Sequence, residues 1–277
     1  MKYFLQLLCL AFVIPLHAQD FQGEATYVTK RNFSVNLDEA QMSEQQKKMI
    51  RERMKQFSES THKLTFNRTS SIYQSEASLS PQTPGGRGGM RFRMMGAGGS
   101  GKLHVDIARQ QYTRQVELMG KFFLIQDSIE RPKWQMTQET KKIGNYNCFK
   151  ATYTQTVRRP MFRPGQRARR GEAPPMEEEE VEVVAWYTPQ IPVSMGPEQW
   201  TGLPGLILEL SDGNATTLCT QVVMNSKEKK AIEAPKKGKV VNQKDFEEIQ
   251  QKQMEEMRER FRNNSGRAQG QRIFISG

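Results

Sequence analysis

Histidine and cysteine are scarce: the chain has three of each in 277 residues. No His-x-x-x-His or Cys-x-x-Cys spacing occurs among them, so the compact ligand patterns of structural and catalytic metal sites are missing. No Gly-x-Ser-x-Gly marks a serine nucleophile. The glycines before Lys102 do not make a phosphate loop either, because Gly101-Lys102 is followed by Leu103. Long apolar runs are equally absent. Tyr3 to Leu16, broken by Gln6, falls short of the roughly 20 residues that span a bilayer, and no later segment approaches that length. Acidic residues are outnumbered by basic ones, 30 against 41, leaving a net charge of +11.

The short apolar run is informative for its flanks. Lys2 precedes it and Leu16-His17-Ala18 ends it, the pattern of a cleavable secretory signal over residues 1–18, with the mature chain starting near Gln19. Cys9 lies inside the run and is preceded by Gln6-Leu7-Leu8, which is not a lipidation signal. The expected product is exported: periplasmic, secreted, or held peripherally at the outer membrane, with no transmembrane segment. For such a chain the positive charge meets anionic envelope surfaces such as lipid headgroups more readily than nucleic acid, which is not an expected partner.

Cleavage leaves Cys148 and Cys219. In an oxidising compartment they can pair, closing a loop of roughly 70 residues and adding about 4 kcal/mol in the loop-entropy reckoning. Two separate small core residues read the same way in sequence.

One domain over residues 19–277 is expected, mainly β with flanking helices (α+β), its antiparallel sheet able to form an open half-barrel. Phe21 to Ser34 alternates through Ala25, Tyr27 and Thr29 as a first strand. Asn36-Leu37-Asp38 offers caps for a helix to about Ser60, with Met42, Met49, Ile50, Met54 and Phe57 on its apolar side. Those methionines read as packing or as a soft-metal surface. Strands follow over His62–Tyr73, Leu103–Ser128, Tyr146–Thr154 and Val181–Tyr187, with turns at Met119-Gly120 and Gly144-Asn145. His104 and Asp106 would share one strand face. Flexible inserts are expected at about 80–101, rich in glycine and arginine, and 158–179, basic and then acidic. A charged amphipathic helix is expected over 243–262, through Phe246, Ile249, Met254, Met257 and Phe261.

The most distinctive stretch runs from Ala185 to Leu210. Pro204 presets φ for a turn and Gly205 supplies a positive φ after it, which reads as a type II turn over Leu203–Leu206. Asp212-Gly213 then reads as a two-residue hairpin loop. That places Leu210 opposite Ala215, Leu208 opposite Thr217 and Leu206 opposite Cys219, with Ile207 and Leu218 covered on the other face.

Trp186-Tyr187, Gly196-Pro197 and Gly202-Leu203-Pro204-Gly205-Leu206-Ile207 resemble the signature of the GLPGLI family, secreted proteins of Bacteroidota without an assigned activity. Trp134, Ile143, Tyr146, Cys148, Lys150 and Ala151 resemble its upstream segment. The resemblance brings no catalytic, cofactor or metal residues. The expected role is an exported cell-envelope binding or accessory module associated with outer-membrane transport, its partner an envelope protein or an apolar ligand. Trp186, Tyr187 and Trp200 would line a ligand mouth or anchor the core. A soft-metal (copper) handling protein and a hydrolase without a recognisable motif are the alternatives.

Overall fold

A computed structural model of the chain describes residues 21–31, 43–76, 101–160 and 176–270. Twelve strands form one sheet among these residues: β1 (Gly23–Arg31), β2 (Glu59–Phe66), β3 (Ser70–Ser75), β4 (Leu103–Asp106), β5 (Gln111–Leu118), β6 (Lys121–Ser128), β7 (Gln135–Ile143), β8 (Tyr146–Pro160), β9 (Met176–Thr188), β10 (Leu206–Ser211), β11 (Ala215–Met224) and β12 (Lys239–Val241). Two helices accompany them, α1 (Glu44–Ser58) and α2 (Gln243–Gly270). No helix among the described residues is long and apolar enough to cross a membrane.

The sheet order is β12-β6-β5-β4-β3-β2-β1-β11-β10-β9-β8-β7. β1 sits at the centre, between a meander running outward through β6 and a second one returning from β7 to β11. Neighbours are antiparallel except β12, which lies parallel to β6. The sheet is open, ending at β7 and β12, and the expected α+β class with an antiparallel sheet holds.

Alternation sets the inner face. Ala25 and Tyr27 of β1 are fully buried beside their cross-strand neighbours Leu64 and His62. Leu103, Val105, Tyr112, Phe123 and Ile125 continue this core across β4 to β6. α2 closes its far end, where Phe246 meets Phe123 edge-on with ring centroids 5.6 Å apart. Asn242 caps the helix start, its Oδ1 accepting the Asp245 amide at 2.7 Å, and Asp127 Oδ2 accepts the Gln243 amide at 3.2 Å. A second core, with Ala151, Val183, Ala185, Leu203, Ile207 and Leu210, gathers around β8 to β10.

Several expectations shift. Ser43 opens α1 with a capping box: its hydroxyl accepts the Gln46 amide and its own amide donates to Gln46 Oε1. The earlier caps at Asn36 to Asp38 lie outside the described residues, as do Met42 and the side chains of Ile50, Met54 and Phe57. Met49 is 65% exposed, so it is not packed as its helical spacing suggested. α2 runs on to Gly270, past the expected end at 262. The insert expected over 158–179 is strand at both ends: β8 reaches Pro160 and β9 begins at Met176. Opposite charges zip this ribbon, with Arg158 2.8 Å from Glu178. Residues 161–175, and 77–100 of the earlier insert, lie outside the described residues.

Candidate functional site

Residues 189–205 join β9 to β10, and the first part of this segment packs on the inner face of the sheet while Trp200 and Leu203 reach the second core. Ile191, Val193 and Met195 are 3%, 2% and 1% exposed and belong to the main core beside Tyr27, Leu64 and Phe123. Segments without regular structure can be buried only if their polar backbone finds partners. Here the Leu206 amide donates to Ile191 O at 3.0 Å and the Ile207 amide to Met195 O at 2.9 Å. Trp134 pins the far end, its indole Nε1 donating to Thr201 O at 2.8 Å. From across the core, Tyr27 donates its hydroxyl to Ile207 O at 2.7 Å. Burial raises the Tyr27 phenol well above its ordinary pKa, so it stays a donor.

The three motif glycines do different things. Gly202 has φ 97° and its amide donates to Ser194 Oγ at 2.9 Å. A Cβ at Gly196 would stand 2.7 Å from Ile207 Cδ1. Gly205 does not carry the positive φ that a type II turn requires, so that reading is corrected. It is needed instead because the backbone of Thr188 and Pro189 passes against it.

The hairpin after the motif also differs in register. Ser211 pairs with Thr216, Leu210 with Thr217 and Glu209 with Leu218, so the loop is Gly213-Asn214 rather than Asp212-Gly213. Asp212 causes the shift, since its Oδ1 accepts the amides of Asn214 and Ala215 at 3.0 and 2.8 Å. β10 carries a further irregularity against β9 between Ile207 and Glu209, where Leu208 is the extra residue. Leu206 and Leu208 therefore enter the main core with Cys219, whereas Leu210 joins Ile207 in the second. Leu218 is 39% exposed, so the outer face of β11 is not covered there.

The aromatics separate as the sheet faces dictate. Tyr187 is buried in the second core. Trp200 packs half-buried with Trp134 and Tyr153, centroids 5.8 and 6.4 Å away. Trp186 lies on the opposite face, covered by Lys141, whose Nζ is 4.2 Å above the ring. That ammonium donates to both carboxylate oxygens of Glu209 at 2.8 Å. The three proposed mouth residues therefore do not converge. Lys141 and Glu209, missed in sequence, form this half-buried cation–π and ion-pair stack; they are 68 residues apart and only the sheet order joins them.

Cys148 and Cys219 are both buried free thiols in the main core. Burial pushes the Cys148 thiol up, against a smaller lowering by the Ile143 backbone and Lys141. Burial pushes Cys219 up to about 12, and Cys148 is near enough to add to the rise. Protonated thiols with no histidine acting on them are poor nucleophiles. His104 and Asp106 do share the outer face of β4, but Asp106 Oδ1 accepts the Arg109 amide at 2.9 Å. His62 stacks flat on Tyr73, centroids 4.9 Å apart, and its Nδ1 is buried without a partner. Among the described residues no three His, Cys, Asp or Glu side chains gather as a metal set.

No curated protein matches the chain. Among solved structures it is similar to PNGF-II in its C2 and P21 crystal forms, at 14% and 13% identity and TM-scores of 0.48 and 0.47. That likeness covers 84% and 83% of this chain, which spans only 33% of PNGF-II. LprF from Mycobacterium bovis is similar over 78% of this chain and 90% of its own, at 11% identity and a TM-score of 0.26. The stretch from the Trp134 anchor to Glu209, residues 134–209, matches a protein family of unknown function (Porph_ging).

Proposed function

We propose that the chain is an exported cell-envelope module that binds a macromolecular partner at its surface, as an accessory to envelope machinery such as outer-membrane transport. The observation that supports surface binding is the filled inner face. Ile191, Val193 and Met195 occupy the position an apolar ligand would take in an open half-barrel. Export is supported by the signal-like residues 1–18. The GLPGLI assignment belongs to the same proposal, since Gly202–Ile207 falls within the family-matched residues 134–209.

Two measurements test this reading. N-terminal sequencing of the fractionated protein should give a chain beginning near Gln19 outside the cytoplasm; cytoplasmic chain retaining Met1 would contradict export. Titration with an environment-sensitive apolar dye should give no saturable site in the folded protein. Tight one-to-one binding would show an enclosed cavity and sink the surface reading.

A further inference from the structure

Met119 stands out among the residues with unusual backbone. Four non-glycine residues in the described chain have positive φ; Gln110, Glu198 and Asn225 are polar, and Met119, at φ 50°, is the apolar one. It sits at the tip of the β5–β6 turn with 44% of its surface exposed. A left-handed conformation is unfavourable for a residue with a Cβ, and exposing methionine gains nothing for the fold. Asparagine or glycine would serve the turn better.

The surroundings of that tip are built, and they are basic. Lys121 follows the turn at the head of β6. Lys236-Lys237-Gly238-Lys239 leads into β12, which pairs with β6 from Lys239 opposite Phe123. Gly238, at φ 144°, lets this lysine run lie flat, because a Cβ there would stand 2.9 Å from the backbone carbons of Phe122 and Phe123. Lys237 is held with Nζ 4.2 Å over the Phe122 ring, and its carbonyl accepts from Gln115 Nε2 at 2.7 Å. Acidic side chains near the lysine run include Glu117, opposite Phe122, and Glu233, which pairs with Lys236 at 3.1 Å; Asp245, Glu247 and Glu248 follow at the start of α2.

We infer that this corner is a docking surface for an anionic phospholipid membrane, with Met119 entering the headgroup layer and Lys121, Lys237 and Lys239 meeting lipid phosphates. An apolar tip flanked by lysines suits an interface that is wet, negatively charged and apolar just below. The inference rests on reading the chain as an envelope module. Its test is separable, because vesicle binding is measured on purified protein wherever the cell places it.

The chain, purified as its host processes it, is cosedimented with phosphatidylcholine vesicles with and without phosphatidylglycerol. Binding should require phosphatidylglycerol and weaken as salt is raised. The triple variant Lys121→Gln, Lys237→Gln, Lys239→Gln should lose more than about tenfold in affinity. Met119→Asn should lose about threefold while its Tm stays level or rises, since asparagine accepts the turn conformation. No vesicle binding by the wild type, or unchanged binding by both variants, would overturn the inference. So would lysine-dependent retention on an acidic polysaccharide resin without vesicle binding.

Discussion

Gly205 lies directly against the backbone of Thr188: a Cβ on it would overlap the Thr188 carbonyl oxygen and stand 2.8 Å from the Pro189 nitrogen. Thr188 ends β9 and is opposite Leu206, so the two ends of the 189–205 excursion are clamped together at one point. The motif is thus the fastening of a buried loop. Its apolar side chains are buried, Leu206 in the main core and Leu203 and Ile207 in the second: Leu203 is 1% exposed, Leu206 and Ile207 not at all.

Leu206→Ala should cost about 2–5 kcal/mol, because a fully buried leucine leaves a cavity that its neighbours only partly fill. Urea unfolding followed by tryptophan fluorescence measures it. A loss below about 1 kcal/mol would mean that the core at Leu206 is not packed as described.

Acid should weaken the fold through His62. Burial first, and then the charge of Arg31, lower its pKa below the ordinary 6.5. The unfolded chain therefore binds a proton more readily than the folded one. The contribution of His62 is fully present above about pH 6.5 and declines as pH falls through and below that value. His62→Phe, which keeps the stack on Tyr73, should flatten the stability slope between about pH 7 and 5. An unchanged slope would contradict the assignment, and His104, also lowered chiefly by burial, would be the next residue to replace.

The two cysteines should be thiols that react only on unfolding. With Cys219 pushed up to about 12, little thiolate exists at neutral pH, and both sulfurs are buried. Iodoacetamide without reductant should leave the native chain unmodified and add two labels in denaturant, read by intact mass. Labelling in denaturant only after reduction would show that Cys148 and Cys219 pair.

Local signals in the sequence carried much of the architecture. The Ala25, Tyr27, Thr29 alternation gave the inner face of β1, and Gly144-Asn145 gave the β7–β8 turn, where Gly144 has φ 57°. Glycine in sequence does not say whether it is wanted for its φ or for its missing Cβ. Gly205, expected to supply a positive φ, is wanted for its missing Cβ, and the positive φ is at Gly202. The β10–β11 register slipped because one side chain, Asp212, captured two amides and moved the loop by a residue. The extra residue Leu208 broke the leucine alternation, and no local pattern announces such a bulge. Partners distant in sequence were invisible, as with Lys141 and Glu209 or Tyr27 and Ile207. β12, three residues long, offered too little pattern to find.

Gly205→Ala tests the motif's role as a fastening most directly. One methyl group, placed against backbone that cannot rotate away, should cost about 1–3 kcal/mol and lower Tm by several degrees. Gly202→Ala bears only the strain of a positive φ, about 1 kcal/mol, on an exposed residue, and should lower Tm less. Thermal unfolding of both variants beside the wild type decides the matter. A Tm for Gly205→Ala equal to that of the wild type, or above that of Gly202→Ala, would contradict the clamp at Thr188.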